Sequence, residues 1–189
     1  YLINAVLFDA EWQAQYDTGD ITDSTFNAYD GAKENAKMMS STEYSYIEDS
    51  MAKGFVKNYA GGKYNFAALL PNDGVSIDDY VASLTGEGLV STLKNTQESS
   101  VQAQMPKFTY EYKIKMNDAL AALGMPTAFT GSADFSKMGT SPVGNLFIGE
   151  VVHKTYIEVT EIGTRAGAVT EVGMKLTSMP MFDHTITLD

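Results

Sequence analysis

Alternation of apolar and polar positions marks three stretches of the chain as strands. Residues 1–8, Tyr-Leu-Ile-Asn-Ala-Val-Leu-Phe, are apolar apart from Asn4, the pattern of a strand covered on both faces. A polar side chain there needs a hydrogen-bond partner. Residues 147–160 alternate. Val151, His153, Thr155, Ile157 and Val159 share one face, which predicts a half-buried strand with His153 turned toward the core. Residues 161–178 carry a second meaning. Thr164, Ala166, Ala168, Thr170, Val172, Met174 and Leu176 form one small or apolar face. Arg165, Gly167, Val169, Glu171, Gly173, Lys175 and Thr177 form a mostly polar or glycine face. The composition suits an exposed loop and the period suits a strand. Read alone, the stretch is equally a flexible linker or an ordinary amphipathic strand.

Between these stretches the chain mixes short strands and helices. Residues 13–25 are polar and read as a turn-rich, solvated loop. Short strands joined by tight turns are expected from 26 to 70, with hairpin signals at Asp30-Gly31 and Gly61-Gly62. A helix is predicted over 76–84, capped by Ser76, with Asp78 and Asp79 in its first turn; a second is predicted over 88–93. A strand region follows over 101–116. A helix over 117–123, closed by Gly124, and an alternating tail, Thr185-Ile186-Thr187-Leu188, complete an α+β pattern.

Composition narrows the chemistry. The 189 residues are 44% hydrophobic, enough for a globular core. A net charge of −11 disfavours nucleic acid and anionic membranes as partners. No cysteine is present, which removes thiol catalysis and cysteine metal sites. No apolar run has the length of a membrane span. The chain begins with Tyr1 inside a strand-like run and ends just after an alternating one, as a piece of a longer protein would. Asp17, Asp20 and Asp23 do not match a calcium-loop spacing, and a solvated loop accounts for them. Ser178, Asp183 and His184 are triad residue types, but adjacent Asp and His in extended chain point opposite ways. Phosphate and dinucleotide fingerprints are missing. No catalytic residue, metal site or cofactor is therefore assigned.

Several motifs, in order, resemble the serpin family of serine protease inhibitors. Asn4 followed by Trp12 matches a central-sheet strand of that family. Met38-Met39, the turn from Tyr59 to Gly62, and Leu69-Leu70-Pro71 look like its middle sheet. Met105-Pro106-Lys107-Phe108, Ala122-Leu123-Gly124-Met125 and Ala133-Asp134-Phe135-Ser136 follow its pattern, as does Val152-His153-Lys154. Glu161-Ile162-Gly163-Thr164 with Ala166, Gly167, Ala168 and Thr170 resembles the hinge of its reactive-centre loop. Ile162 and Arg165 depart from the family's usual residues. The resemblance runs from Tyr1 to about Thr187.

The resemblance implies a serpin fold of mixed β-sheets with peripheral helices, incomplete at both ends. Residues 1–189 would be part of a single serpin domain, with the reactive-centre loop at about 161–181. It implies a suicide substrate: a serine protease cuts the loop, is held as a covalent acyl complex, and the cut loop inserts into the central sheet. Glu161, Gly163, Thr164, Ala166, Gly167, Ala168 and Thr170 would form the hinge. Asn4 and His153 would form a shutter pair, and Trp12, Lys107 and Glu161 a breach at the loop's entry. Counting from Glu161 places the reactive bond at Thr177-Ser178, with Met174, Met179 and Met181 as nearby alternatives. Thr177 suits an elastase-like or subtilisin-like protease. The expected protein is a monomer prone to polymerise, secreted or extracellular, without a cofactor. The alternative is a non-inhibitory binding or carrier serpin. The small, uncharged hinge residues favour the inhibitor.

Overall fold

The computed structural model describes the backbone of residues 2–4 and the whole of residues 8–164 and 181–189. In chain order the strands are β1 (Leu2–Asn4), β2 (Ala10–Glu11), β3 (Ile21–Asn27), β4 (Lys33–Glu48), β5 (Ala52–Asn58), β6 (Asn65–Pro71), β7 (Gln97–Pro106), β8 (Phe108–Lys115), β9 (Val151–Val159), β10 (Gly163–Thr164) and β11 (His184–Thr187). The α-helices are α1 (Ile77–Ser83), α2 (Gly86–Lys94) and α3 (Asn117–Ala122). The chain divides into two compact units. One comprises residues 1–8 and 109–157, the other 9–108 and 158–189.

The larger unit is built on a sheet in the order β11-β7-β4-β5-β6, with β3 also paired to β4. It is mixed: β11 runs parallel to β7, whereas β3–β4, β4–β5, β4–β7 and β5–β6 are antiparallel. Met39, Ile47, Phe55, Val101, Met105 and Ile186 are its largest fully buried apolar side chains. The hairpins turn at Gly31 (φ 83°) and at Gly61 and Gly62 (φ 79° and 65°), left-handed conformations that glycine adopts without strain. Ser76 caps α1 by accepting the Asp79 N–H, and Thr85 caps α2 by accepting the Gly88 N–H.

Three elements differ from the sequence reading. The end of the polar stretch 13–25, expected as a loop, forms most of β3, which pairs with β4 from Ile21↔Met39 to Asn27↔Lys33. Five of its seven side chains are exposed, so no apolar alternation betrays it; its backbone pairing forms it. The short strands expected around 38–47 are one sixteen-residue strand, β4. Its register against β7 shifts between Glu43 and Ser45, and that irregularity breaks the alternation into two apparent segments. The region 101–116 is two strands, separated at Lys107, whose N–H donates to the Lys37 carbonyl.

In the smaller unit, β9 pairs in parallel with β1 (Leu2↔Val151, Ile3↔Val152, Asn4↔His153), and β8 also pairs with β9. Asn117 ties α3 to the approach of β9: its Oδ1 accepts the Val151 N–H at 2.9 Å and its Nδ2 donates to the Gly149 carbonyl at 3.0 Å. Gly124 follows α3 with φ 110°. The two-faced burial expected of 151–159 is only partly present. Positions 151–153, opposite β1, are half-buried on both faces, whereas Thr155 is exposed with its neighbours Lys154 and Tyr156. His153 is accordingly half-buried rather than deep in a core.

Candidate functional site

The site forms in the larger unit, where the chain leaving β9 turns into β10. Gly163 and Thr164 lie between two strands. Gly163 is opposite Glu11 and Thr164 opposite Ala10 on β2, while Thr164 also pairs with Val159 of β9. A Cβ on Gly163 would fall 2.2 Å from the Ala10 carbonyl oxygen and 2.7 Å from the Glu11 Cα. Backbone fills the space a side chain would need, which is why a glycine stands there.

Aromatic residues clamp the turn before β10. The Trp12 backbone N–H donates to the Ile162 carbonyl at 2.8 Å, and the Tyr16 N–H to the Glu161 carbonyl at 3.0 Å. The Trp12 indole Nε1 donates to the Thr160 carbonyl at 2.8 Å. Three successive carbonyls are thus held from one side. Trp12 stacks on Tyr59 with centroids 4.5 Å apart and meets Phe66 edge-on at 5.7 Å. Tyr59 Oη and Thr164 Oγ1 share a buried hydrogen bond of 2.6 Å. Burial raises the Tyr59 pKa above the ordinary phenol range, so the neutral hydroxyl persists.

Lys107 Nζ lies 2.5 Å from the Glu161 carboxylate, with side chains 29% and 33% exposed. The hydrogen bond from Lys107 holds the Glu161 carboxyl below the usual carboxylate range. The structure therefore brings together Trp12, Lys107, Glu161, Gly163 and Thr164. It places the Asn4 and His153 backbones opposite one another; the Asn4 side chain lies outside the described residues. Ala166, Gly167, Ala168, Thr170, Met174, Thr177, Ser178 and Met179 also lie outside them. Met181 is described and is 96% exposed.

The remaining candidates have structural partners. The His184 ring stacks on Tyr46 at 3.9 Å. Asp183 accepts from the Ser100 N–H and from the Ser99 and Ser100 hydroxyls. Asp20 accepts the Asp17 N–H, and Asp23 pairs with Lys37 at 2.9 Å. Among the described residues, no three acidic or histidine side chains gather where a metal could sit. No helix among them is long and apolar enough to cross a membrane. Sequence reasoning missed Tyr16, which lies after β2, Tyr59, just past the end of β5, and a buried Lys57–Glu43 pair joining β5 and β4. A lysine inside the strand Phe55-Val56-Lys57-Asn58 was the available signal.

A family model described as serpin (serine protease inhibitor) matches residues 1–189. The native structure of tengpin, a thermophilic serpin, superposes with a TM-score of 0.89 at 45% identity, covering 98% of this chain and 48% of that one. Among sequences, Intracellular coagulation inhibitor 2 of Tachypleus tridentatus is 33% identical over 181 residues, covering 94% of this chain and 44% of the relative. Leukocyte elastase inhibitor A of Mus musculus is 31% identical over 198 residues, covering 100% and 52%. The chain belongs to the serpin family, and it spans about half the length of these relatives.

Proposed function

We propose that this chain is the loop-bearing part of an inhibitory serpin, a suicide substrate of an elastase-like or subtilisin-like serine protease. The observation that carries this reading is the position of Gly163 and Thr164 between β9 and β2. In the sequence, Thr164 opens an alternating face of small residues, Ala166, Ala168 and Thr170. Cut free at its far end, that stretch can continue β10 and gain ladder hydrogen bonds on both sides. That gain is the driving force, and the uncut fold is a kinetically protected, metastable state.

In this mechanism the protease supplies the nucleophile. Its serine attacks the carbonyl of Thr177, and the peptide ending at Thr177 stays esterified to the enzyme while the amine of Ser178 leaves. Insertion then drags the acylated protease across the molecule before water reaches the ester. Glu161, Gly163 and Thr164, with Ala166, Gly167, Ala168 and Thr170, serve as the hinge. Trp12, Lys107 and Glu161 form the breach, and Asn4 with His153 the shutter. All belong to one serpin domain with its loop at about 161–181.

The name of the mouse relative, leukocyte elastase inhibitor, agrees with the target class suggested by Thr177. The secreted address rests on the family resemblance alone, since the Tachypleus relative is named for an intracellular setting. Incubating the complete protein with a panel of serine proteases tests the reading. A stable complex surviving SDS is expected with elastase or subtilisin. Cleavage by every protease without a complex identifies a non-inhibitory binding or carrier serpin instead.

A further inference from the structure

A buried ion pair stands behind the breach. Lys57 on β5 and Glu43 on β4 meet at 2.8 Å, with side chains only 2% and 12% exposed. Ser41 Oγ donates to Glu43 Oε1 at 2.7 Å and lies 3.3 Å from the Tyr16 hydroxyl. Burying two charges is expensive, and an apolar pair of similar volume is often as stable. Packing alone gives no reason for a lysine here.

The ammonium does something an apolar side chain would not. Lys57 Nζ lies 4.4 Å from the centre of the Tyr16 ring and 5.7 Å from that of Trp12, both within reach of a cation–π attraction. Both rings are buried, so little water screens the charge. Glu43 fixes where the ammonium sits, and the ammonium meets both rings. The same two residues hold the carbonyls of Thr160, Glu161 and Ile162, immediately before Gly163.

We propose that Lys57 and Glu43 are positioning residues for the hinge. Through Tyr16 and Trp12 they hold the backbone of 160–162 and set how readily the chain beyond it enters the sheet. The last step rests on the inhibitory reading; the clamp itself does not.

Hydrogen exchange in the complete protein, read by mass spectrometry at residue resolution, tests the clamp directly. The Trp12 and Tyr16 amides are the donors to Ile162 and Glu161. Lys57→Met is expected to speed their exchange about tenfold, the loss of a desolvated cation–π contact, while the β7 amides are unchanged. The double variant Lys57→Met with Glu43→Met leaves no buried charge unpaired, so it folds where the single change fails. It is expected to show the same local acceleration. Wild-type exchange at Trp12 and Tyr16 in the double variant overturns the proposal, because packing alone then holds the clamp. Equal acceleration in β7 also overturns it. A second arm follows conversion of the uncut variants to the loop-inserted form, which is expected to quicken. Local acceleration, in a protein whose wild type forms no protease complex, overturns the inhibitory reading and leaves the clamp standing.

Discussion

Tyr59 Oη lies 2.6 Å from Thr164 Oγ1, and the two residues are 3% and 4% exposed. Thr164 is therefore already inside the sheet. Thr164→Arg would force a cation into this space, and a buried, unpaired charge is costly. The variant is expected to be cleaved as a substrate without forming a complex. Gel analysis of its reaction with elastase checks this, and a stable complex at wild-type stoichiometry would refute it.

Gly163→Ala acts one residue earlier. The new methyl group would meet the Ala10 carbonyl at 2.2 Å, and the β2–β10 pairing must open to admit it. Loss of roughly 1–3 kcal/mol of stability is expected, the range for overpacking. Denaturant unfolding measures it. An unchanged midpoint would mean that the two strands are not so closely apposed.

The Lys107–Glu161 pair adds a pH dependence. Its hydrogen bond lowers the Glu161 pKa in the folded protein relative to the unfolded chain. Its stabilisation is therefore complete above the ordinary glutamate range and is lost as pH falls through the lowered value. At about one-third exposure the pair contributes on the order of 0.5–1 kcal/mol. Glu161→Lys places two cations together and is expected to promote spontaneous insertion or polymerisation at neutral pH. Native gels after warming would reveal this, and a variant as persistent as wild type would count against the breach assignment.

The smaller unit holds a further backbone pairing. β1 and β9 set Asn4 opposite His153 in a parallel register, and paired positions share one face. A direct hydrogen bond between the two side chains is expected. His153→Ala should then cost roughly 1–3 kcal/mol by leaving the amide unsatisfied. A double-mutant cycle with Asn4→Ala checks the coupling, and additive losses would disprove it.

The sequence carried what is local. Glu161 and Lys107 were legible as partners only through the family resemblance, since nothing in the spacing of residues 107 and 161 brings them to 2.5 Å. Ser76 and its acidic first turn announced α1 because a cap is a local signal. β3 escaped notice because its side chains face water and its partner lies beyond a turn. Tyr59 and Tyr16 escaped for a related reason. Tyr59 lies at the end of a strand and reads as core, and Tyr16 lies in a polar stretch that reads as a loop. Each meets residues 160–164 only through chain far apart in sequence.

The central claim, that a protease cuts this loop and is trapped, is tested most directly by one mass measurement. The complete protein is mixed with elastase, and the covalent complex and the released peptide are weighed. A complex retaining the chain up to Thr177, with a peptide beginning at Ser178, is the expected result. Elastase cleavage with no complex, or efficient trypsin inhibition with cleavage after Lys175, would contradict it.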